Sequence, residues 1–240
     1  MKNFITIISL LIFGLLSSQV KTKTVVGNGI QKEEIKNISD YNSVEVTGPF
    51  NIILTDKNQG EIRIIADENI LPLISIYKKD VKELVIGSLK NSSFNTKNHI
   101  KIYIPAQNIT SLKSIGSGNV SNVGVLKAEH FVCELSGSGN IKLNIDVEKF
   151  NADLVGSGNM LIVGEATNVK YEYLGSGNVN AEKLITKNTE VDYAGSGNMK
   201  LYVTDTFSGE MLGSGNLIIK GNPKHKNYKD KGSGNIYFKE

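Results

Sequence analysis

Apolar and polar residues alternate strictly along much of this chain, in short runs separated by a recurring corner. Counting back two, four and six residues from that corner gives Leu135, Cys133 and Phe131, then Leu154, Ala152 and Phe150. The next runs hold Tyr173, Tyr171 and Val169, then Tyr193, Val191 and Thr189, and then Met211, Gly209 and Phe207. A period of two is the signature of a strand with one face inward. No 3.6-residue pattern competes with it.

The corner is the tetrapeptide Gly-Ser-Gly-Asn. Its copies begin at Gly116, Gly137, Gly156, Gly175, Gly195, Gly213 and Gly232, with starts 21, 19, 19, 20, 18 and 19 residues apart. Glycine permits backbone conformations that a Cβ penalises, and Asn tolerates the left-handed region, so each copy is expected to turn the chain at φ > 0. An apolar residue follows every Asn: Val120, Ile141, Met160, Val179, Met199, Leu217 and Ile236. Two positions further on stand Leu143, Ile162, Leu201, Ile219 and Phe238, with Asn122 and Ala181 as exceptions. A strand, a corner and a second strand repeating every 19 residues or so predict an all-β fold, a right-handed parallel β-helix whose equivalent residues stack at about 4.8 Å. Stacking would put Asn119, Asn140, Asn159, Asn178, Asn198, Asn216 and Asn235 in one column. There the amides either form a hydrogen-bonded ladder or simply fit the turn.

The segments outside the repeat read differently. Residues 1–19 look like an export signal: Lys2, an apolar run from Phe4 to Leu16, and the small-residue exit Ser17-Ser18-Gln19. The run falls short of the ~20 residues a membrane span needs, so no transmembrane span is expected after signal removal. Residues 20–40 are polar and lysine-rich and are expected to form a flexible lead-in. In 41–110, Val44, Val46, Phe50, Ile52 and Leu54 alternate around Gly48 and Asn51, which keep the three-residue offset of the corner and suggest a degenerate first copy. Ile62–Ala66, Ile74–Tyr77, Leu84–Ile86 and Ile100–Ile104 are strand candidates, and Asn91–Asn98 is a polar loop. Asp67 is placed to cap a short helical piece beginning near Ile70. This region is the expected cap of a repeat helix over 111–240, because an uncovered rung would recruit another chain. Pro223 and the lysines from Lys224 to Lys231 would blunt the other end.

Composition narrows the function. A formal charge of +3, with Arg63 the only arginine among 240 residues, argues against a nucleic-acid partner. Cys133 is the only cysteine and lies on an inward face, as a small buried hydrophobe. His99, His130 and His225 have no partner at metal-ligand spacing. Seven equal corner serines without a Gly-x-Ser-x-Gly elbow are not a nucleophile, and the glycines spell no phosphate loop. No cofactor is implied and the chain reads as a non-enzyme.

One outward column stands out. Three residues before the first Gly of five consecutive corners are Glu134, Asp153, Glu172, Asp192 and Glu210. Like charges one rung apart repel. Either neighbouring lysines such as Lys142, Lys170 and Lys200 compensate, or the column takes a divalent cation or a basic partner.

The opening Val44-Glu45-Val46-Thr47-Gly48-Pro49-Phe50-Asn51-Ile52, the segment Ala66-Asp67-Glu68-Asn69-Ile70-Leu71-Pro72 and the tandem Gly-Ser-Gly-Asn repeats together resemble the putative auto-transporter adhesin head domain. That family, also called the head GIN domain or domain of unknown function 2807, is common in Bacteroidota. The resemblance covers roughly residues 40–236. It implies a β-helical fold and an envelope or extracellular location, and it brings no catalytic residues. Three functional readings stand: a non-catalytic interaction module for glycan or envelope and surface protein, a structural or self-associating periplasmic protein, and a carbohydrate-active enzyme on a β-helix.

Overall fold

The computed structural model describes residues 23–240, so the expected export signal lies outside the described residues. The chain is a parallel β-solenoid of about seven turns, closed at its N-terminal end by antiparallel strands. The N-terminal part comprises β1 (Lys23–Val26), β2 (Gln31–Ile38), β3 (Ser43–Thr47), β4 (Asn51–Thr55) and β5 (Gly60–Asp67). A 3₁₀ turn (Leu71–Leu73) then leads into β6 (Ile74–Lys78), β7 (Glu83–Ser88), β8 (Ser92–Asn95) and β9 (Lys101–Pro105). The repeat region follows with β10 (Ser111–Gly116), β11 (Asn119–Asn122), β12 (Leu126–Gly137), β13 (Asn140–Gly156), β14 (Asn159–Gly175) and β15 (Asn178–Gly195). It ends with β16 (Met199–Gly213), β17 (Asn216–Lys220), β18 (His225–Asp230) and β19 (Asn235–Phe238).

The stack does not follow chain order at its start. β3 pairs in parallel with both β7 and β10, and β4 pairs with both β9 and β11. The rung made of β3 and β4 is therefore sandwiched: residues 60–105 double back beneath it before the chain climbs on through β10. Below, β6 pairs antiparallel with β7, β5 with β9, and β2 with β5. Reversed strands cannot propagate the parallel repeat, and this ends it.

Three segments differ from expectation. The lead-in is not structureless: β2 pairs with β5 over its whole length, and β1 forms a separate two-stranded sheet with β8 inside the supposed Asn91–Asn98 loop. Both strands gain their order from partners rather than from local apolar content, which is why neither has a strong local pattern. Asp67 does not cap the helical turn through its side chain. It is buried and accepts hydrogen bonds from Thr96 Oγ1 (2.7 Å) and Asn98 Nδ2 (2.8 Å), tying the loop after β8 to the end of β5.

The inward positions read from the repeats form one continuous core. Phe131, Cys133, Leu135, Phe150, Ala152, Leu154, Tyr171, Tyr173, Val191, Tyr193, Phe207 and Met211 are all buried. Aromatics stack between rungs, with Tyr173 over Tyr193 at 4.6 Å between centroids and their planes nearly parallel. Both hydroxyls turn to the corner and donate to main-chain oxygens, Tyr173 to Gly177 and Tyr193 to Gly197. Tyr171 is fitted over the small Ala152 and its hydroxyl is buried with no hydrogen-bond partner.

A second bend escaped the period-two reading. Glu148 and Lys149 are both exposed, which breaks the alternation within β13, and the rung pairing skips Glu129 opposite Glu148. Differences in repeat length are absorbed between the Asn corner and this bend. Register shifts occur at Leu161/Val163, Ala181/Ile185 and Thr186/Asn188, whereas the arm running from the bend to the next glycine stays in phase through Phe131, Phe150, Val169, Thr189 and Phe207. That phased arm carries the acidic column.

Candidate functional site

At the corner the four residue types have distinct positions. The Ser faces solvent, and the second Gly is buried in every copy but the last, where Gly234 is half-buried. A Cβ on Gly139 would lie 2.1 Å from the carbonyl oxygen of Gly118, and one on Gly177 would lie 1.7 Å from that of Gly158. The second glycine is thus required by rung-to-rung approach. The first glycine has φ of 114°, 129°, 120° and 154° at Gly116, Gly137, Gly156 and Gly175, while Gly195, Gly213 and Gly232 lie outside the left-handed set. The left-handed turn expected at every copy is therefore confined to the first four, and no corner Asn adopts it. Close packing, common to all copies, is the wider reason for the motif.

The asparagines are joined through their side chains. Asn119 Nδ2 donates to Asn51 Oδ1 at 2.9 Å, and the same bond repeats from Asn140, Asn159, Asn178, Asn198, Asn216 and Asn235, each to the preceding Asn, at 2.8–3.4 Å. Asn51 sits in register with Asn119, so the column begins in the non-repetitive part. Backbone N–H groups of Asn178, Asn198 and Asn216 donate to the same acceptors. Each bond is worth about 0.5–1.5 kcal/mol net. The column is a seam along the solenoid edge, with its amides engaged with one another.

On the phased arm, Lys113, Glu134, Asp153, Glu172, Asp192, Glu210 and Lys229 are in register on consecutive rungs. The five carboxylates are bounded by a lysine at each end. Lys113 lies 3.3 Å from Glu134, Lys170 bridges Glu172 (2.8 Å) and Asp192 (3.7 Å), and Lys231 lies 2.6 Å from Glu210. Lys170 is the only expected partner in place; Lys142 and Lys200 lie just after the Asn corner, away from the arm that carries the acids. The pairing lysines Lys113 and Lys231 come from neighbouring rungs; Lys113 was not singled out in the sequence, and Lys231 was read there as one of the lysines blunting the C-terminal end. Carrying the column back one repeat would have found the first. Asp153, the second of the five carboxylates, has no ion pair among the described residues. Partial burial, then the Glu172 and Glu134 charges, raise its carboxyl above the usual carboxylate range, against the pull of Lys170.

Beside the acids runs a column the sequence reading missed, the residue immediately before each first glycine. Ile115, Ser136, Val155, Leu174, Ala194 and Leu212 are in register on the outward face, and Val155, Leu174 and Leu212 are 47%, 59% and 48% exposed. Outward strand positions need no large apolar residues, so their recurrence was the available signal. The two columns line an open groove of about 860 Å³ along the solenoid axis.

The remaining candidates separate from this groove. Cys133 is buried, and burial pushes its thiol well above the usual range, which suits packing rather than reactivity. His99 in the loop between β8 and β9, His130 on β12 and His225 at the start of β18 are all exposed and lie apart in the chain. Among the described residues no three His, Cys, Asp or Glu side chains converge as a metal site, and no helix is long and apolar enough to cross a membrane.

Solved structures share this architecture. A putative adhesin from Bacteroides fragilis aligns with a TM-score of 0.83 at 23% identity, over 90% of this chain and 100% of its own. From Parabacteroides distasonis, a putative lipid binding protein (TM-score 0.73, 22% identity, 91% of this chain and 100% of that one) and a putative adhesin (0.73, 20%, 90% and 100%) have the same fold. No curated protein matches the chain. The model of the family described as putative auto-transporter adhesin, head GIN domain matches residues 40–223, and the chain belongs to that family.

Proposed function

We propose that the protein is a non-catalytic, exported interaction module of the cell envelope or surface, using the outer face of the phased arm as its contact surface. The observation that carries this reading is the groove between the acidic and apolar columns. Elsewhere on the repeats the recurrent residues serve the scaffold: glycines for rung contact, asparagines for the seam, aromatics for the core. The groove residues recur without a scaffold task. A surface that extends across several rungs and stays open along its length suits an extended partner better than a small substrate held for turnover. Membership in a family described as adhesin heads supports the same direction.

The test is binding without turnover. The purified chain is applied to a glycan array and to immobilised envelope and surface proteins, and incubated in parallel with envelope polysaccharide under an assay for new reducing ends. Saturable binding with no product is expected. Release of product would replace this reading with an enzymatic one, and a mass that rises with concentration in the absence of any ligand would favour self-assembly.

A further inference from the structure

Resting on that reading, we propose that the groove receives an extended cationic polypeptide segment in which Lys or Arg alternates with apolar residues. Two adjoining columns of different chemistry specify this occupant. The acidic column offers carboxylates on five consecutive rungs, and its own cations leave Asp153 without a partner and give Glu172 and Asp192 one ammonium between them. The parallel column offers Val155 and Leu174 on adjacent rungs and Leu212 two rungs on, each about half exposed. A neutral sugar would satisfy neither the charge nor the apolar wall.

A strand laid along the axis sends successive side chains to opposite sides. Its basic residues would meet the acids and its apolar residues Val155, Leu174 and Leu212. From Glu134 to Glu210 is four rung steps, about 19 Å at ~4.8 Å each, which an extended chain covers in about six residues at ~3.3 Å per residue. Lys113 and Lys229 stand in register at the two ends of the five carboxylates and mark that length.

The probe is a capped synthetic peptide of about seven residues alternating Lys and Val, labelled for fluorescence anisotropy against the full exported chain. A Glu–Val peptide and an all-Lys peptide of equal length are the controls. Saturable binding is expected for Lys–Val, at least tenfold tighter than for either control and weakening as salt is raised. Glu172→Lys and Leu174→Asp should each lower affinity about tenfold while the circular dichroism stays that of the wild type, since both side chains face solvent. Equal affinity for the controls, wild-type affinity in both variants, or no saturable binding of the Lys–Val peptide would overturn the proposal. A concentration-dependent mass abolished by Leu174→Asp would also overturn it, by making the groove an interface between copies. Glycan-array or surface-protein binding that persists in both variants would leave the interaction-module reading intact and place its site elsewhere.

Discussion

The two ends of the solenoid are finished by different means. At the N-terminal end the chain doubles back, and antiparallel strands with no repeat cover the first rung. At the C-terminal end the repeat simply continues and changes its side chains. β18 pairs in register with β16 so that Lys226 follows Phe207, Tyr228 follows Gly209 and Asp230 follows Met211 at inward positions. Lys226 Nζ lies 4.5 Å above the Phe238 ring, which shields the last apolar layer with a charge. Charged inward residues make a further rung costly to add. A change of topology and a change of composition thus solve the same edge problem, and only the second is written in a local pattern.

The largest effect should come from the packing that separates the repeat from its cap. A methyl group at Gly177 meets the Gly158 carbonyl oxygen at 1.7 Å, so Gly177→Ala must push two rungs apart. A loss of about 3 kcal/mol is expected in denaturant unfolding, the upper end for an overpacked site. At Gly29 in the cap nothing lies within 4 Å of an added Cβ, and only the φ of 79° resists it, so Gly29→Ala should cost about 1 kcal/mol. Equal losses would mean that rung contact is not why the motif holds its second glycine.

Next come two buried tyrosines. In the cap, Tyr41 Oη donates to the Pro105 carbonyl at 2.6 Å. In the stack, the Tyr171 hydroxyl has no partner. Tyr41→Phe should therefore destabilise by about 1 kcal/mol, leaving a buried carbonyl short of a donor, and Tyr171→Phe should stabilise by about 1 kcal/mol. Thermal melts of the two variants would read the opposite signs. The seam should respond no more strongly: Asn159→Ala removes its bond to Asn140 and the two it accepts from Asn178, all at a solvent-facing position, for about 1 kcal/mol, and Asn235→Ala, at the end of the column with one 3.4 Å bond, for about half that.

These contrasts also explain what could be read from the residues. Wherever structure is set by contacts between equivalent positions of successive repeats, the pattern was legible: the corners, the inward aromatics and the acidic column all follow from counting. The Glu148–Lys149 bend was not, because two consecutive outward residues can be almost any polar pair and no glycine marks them. The β3–β4 rung was legible from the Gly48–Asn51 offset, but the layer beneath it was not, because β7 and β9 reach it through pairings some 40–50 residues apart with no repeated side chain to announce them. β2 shows the same limit. Its charged sequence resembles a loose leader, and its order belongs to β5.

The smallest shift expected is also the one that distinguishes cap from stack by sign. Asp67 in the cap is held below the ordinary carboxylate range by hydrogen bonds from Asn98 and Thr96, so the folded state prefers its charged form. Its contribution is present above the unfolded value of about 3.9 and is lost as pH falls through the folded value. Asp153 in the stack is raised by partial burial and by Glu172 and Glu134. The folded state then takes up its proton before the unfolded chain does, so this residue lowers stability at neutral pH, and the deficit shrinks as pH falls from above the raised value toward the unfolded one. Asp67→Asn should flatten the acid limb of the stability profile, whereas Asp153→Asn should raise stability at pH 7 and leave it unchanged once the wild-type carboxyl is protonated. Urea titrations from pH 7 down to about pH 3 would measure both slopes. If Asp153→Asn destabilised the protein at pH 7, the acidic column would be a stabilising feature of the scaffold, and the argument that its charge is held for a partner would lose its physical basis.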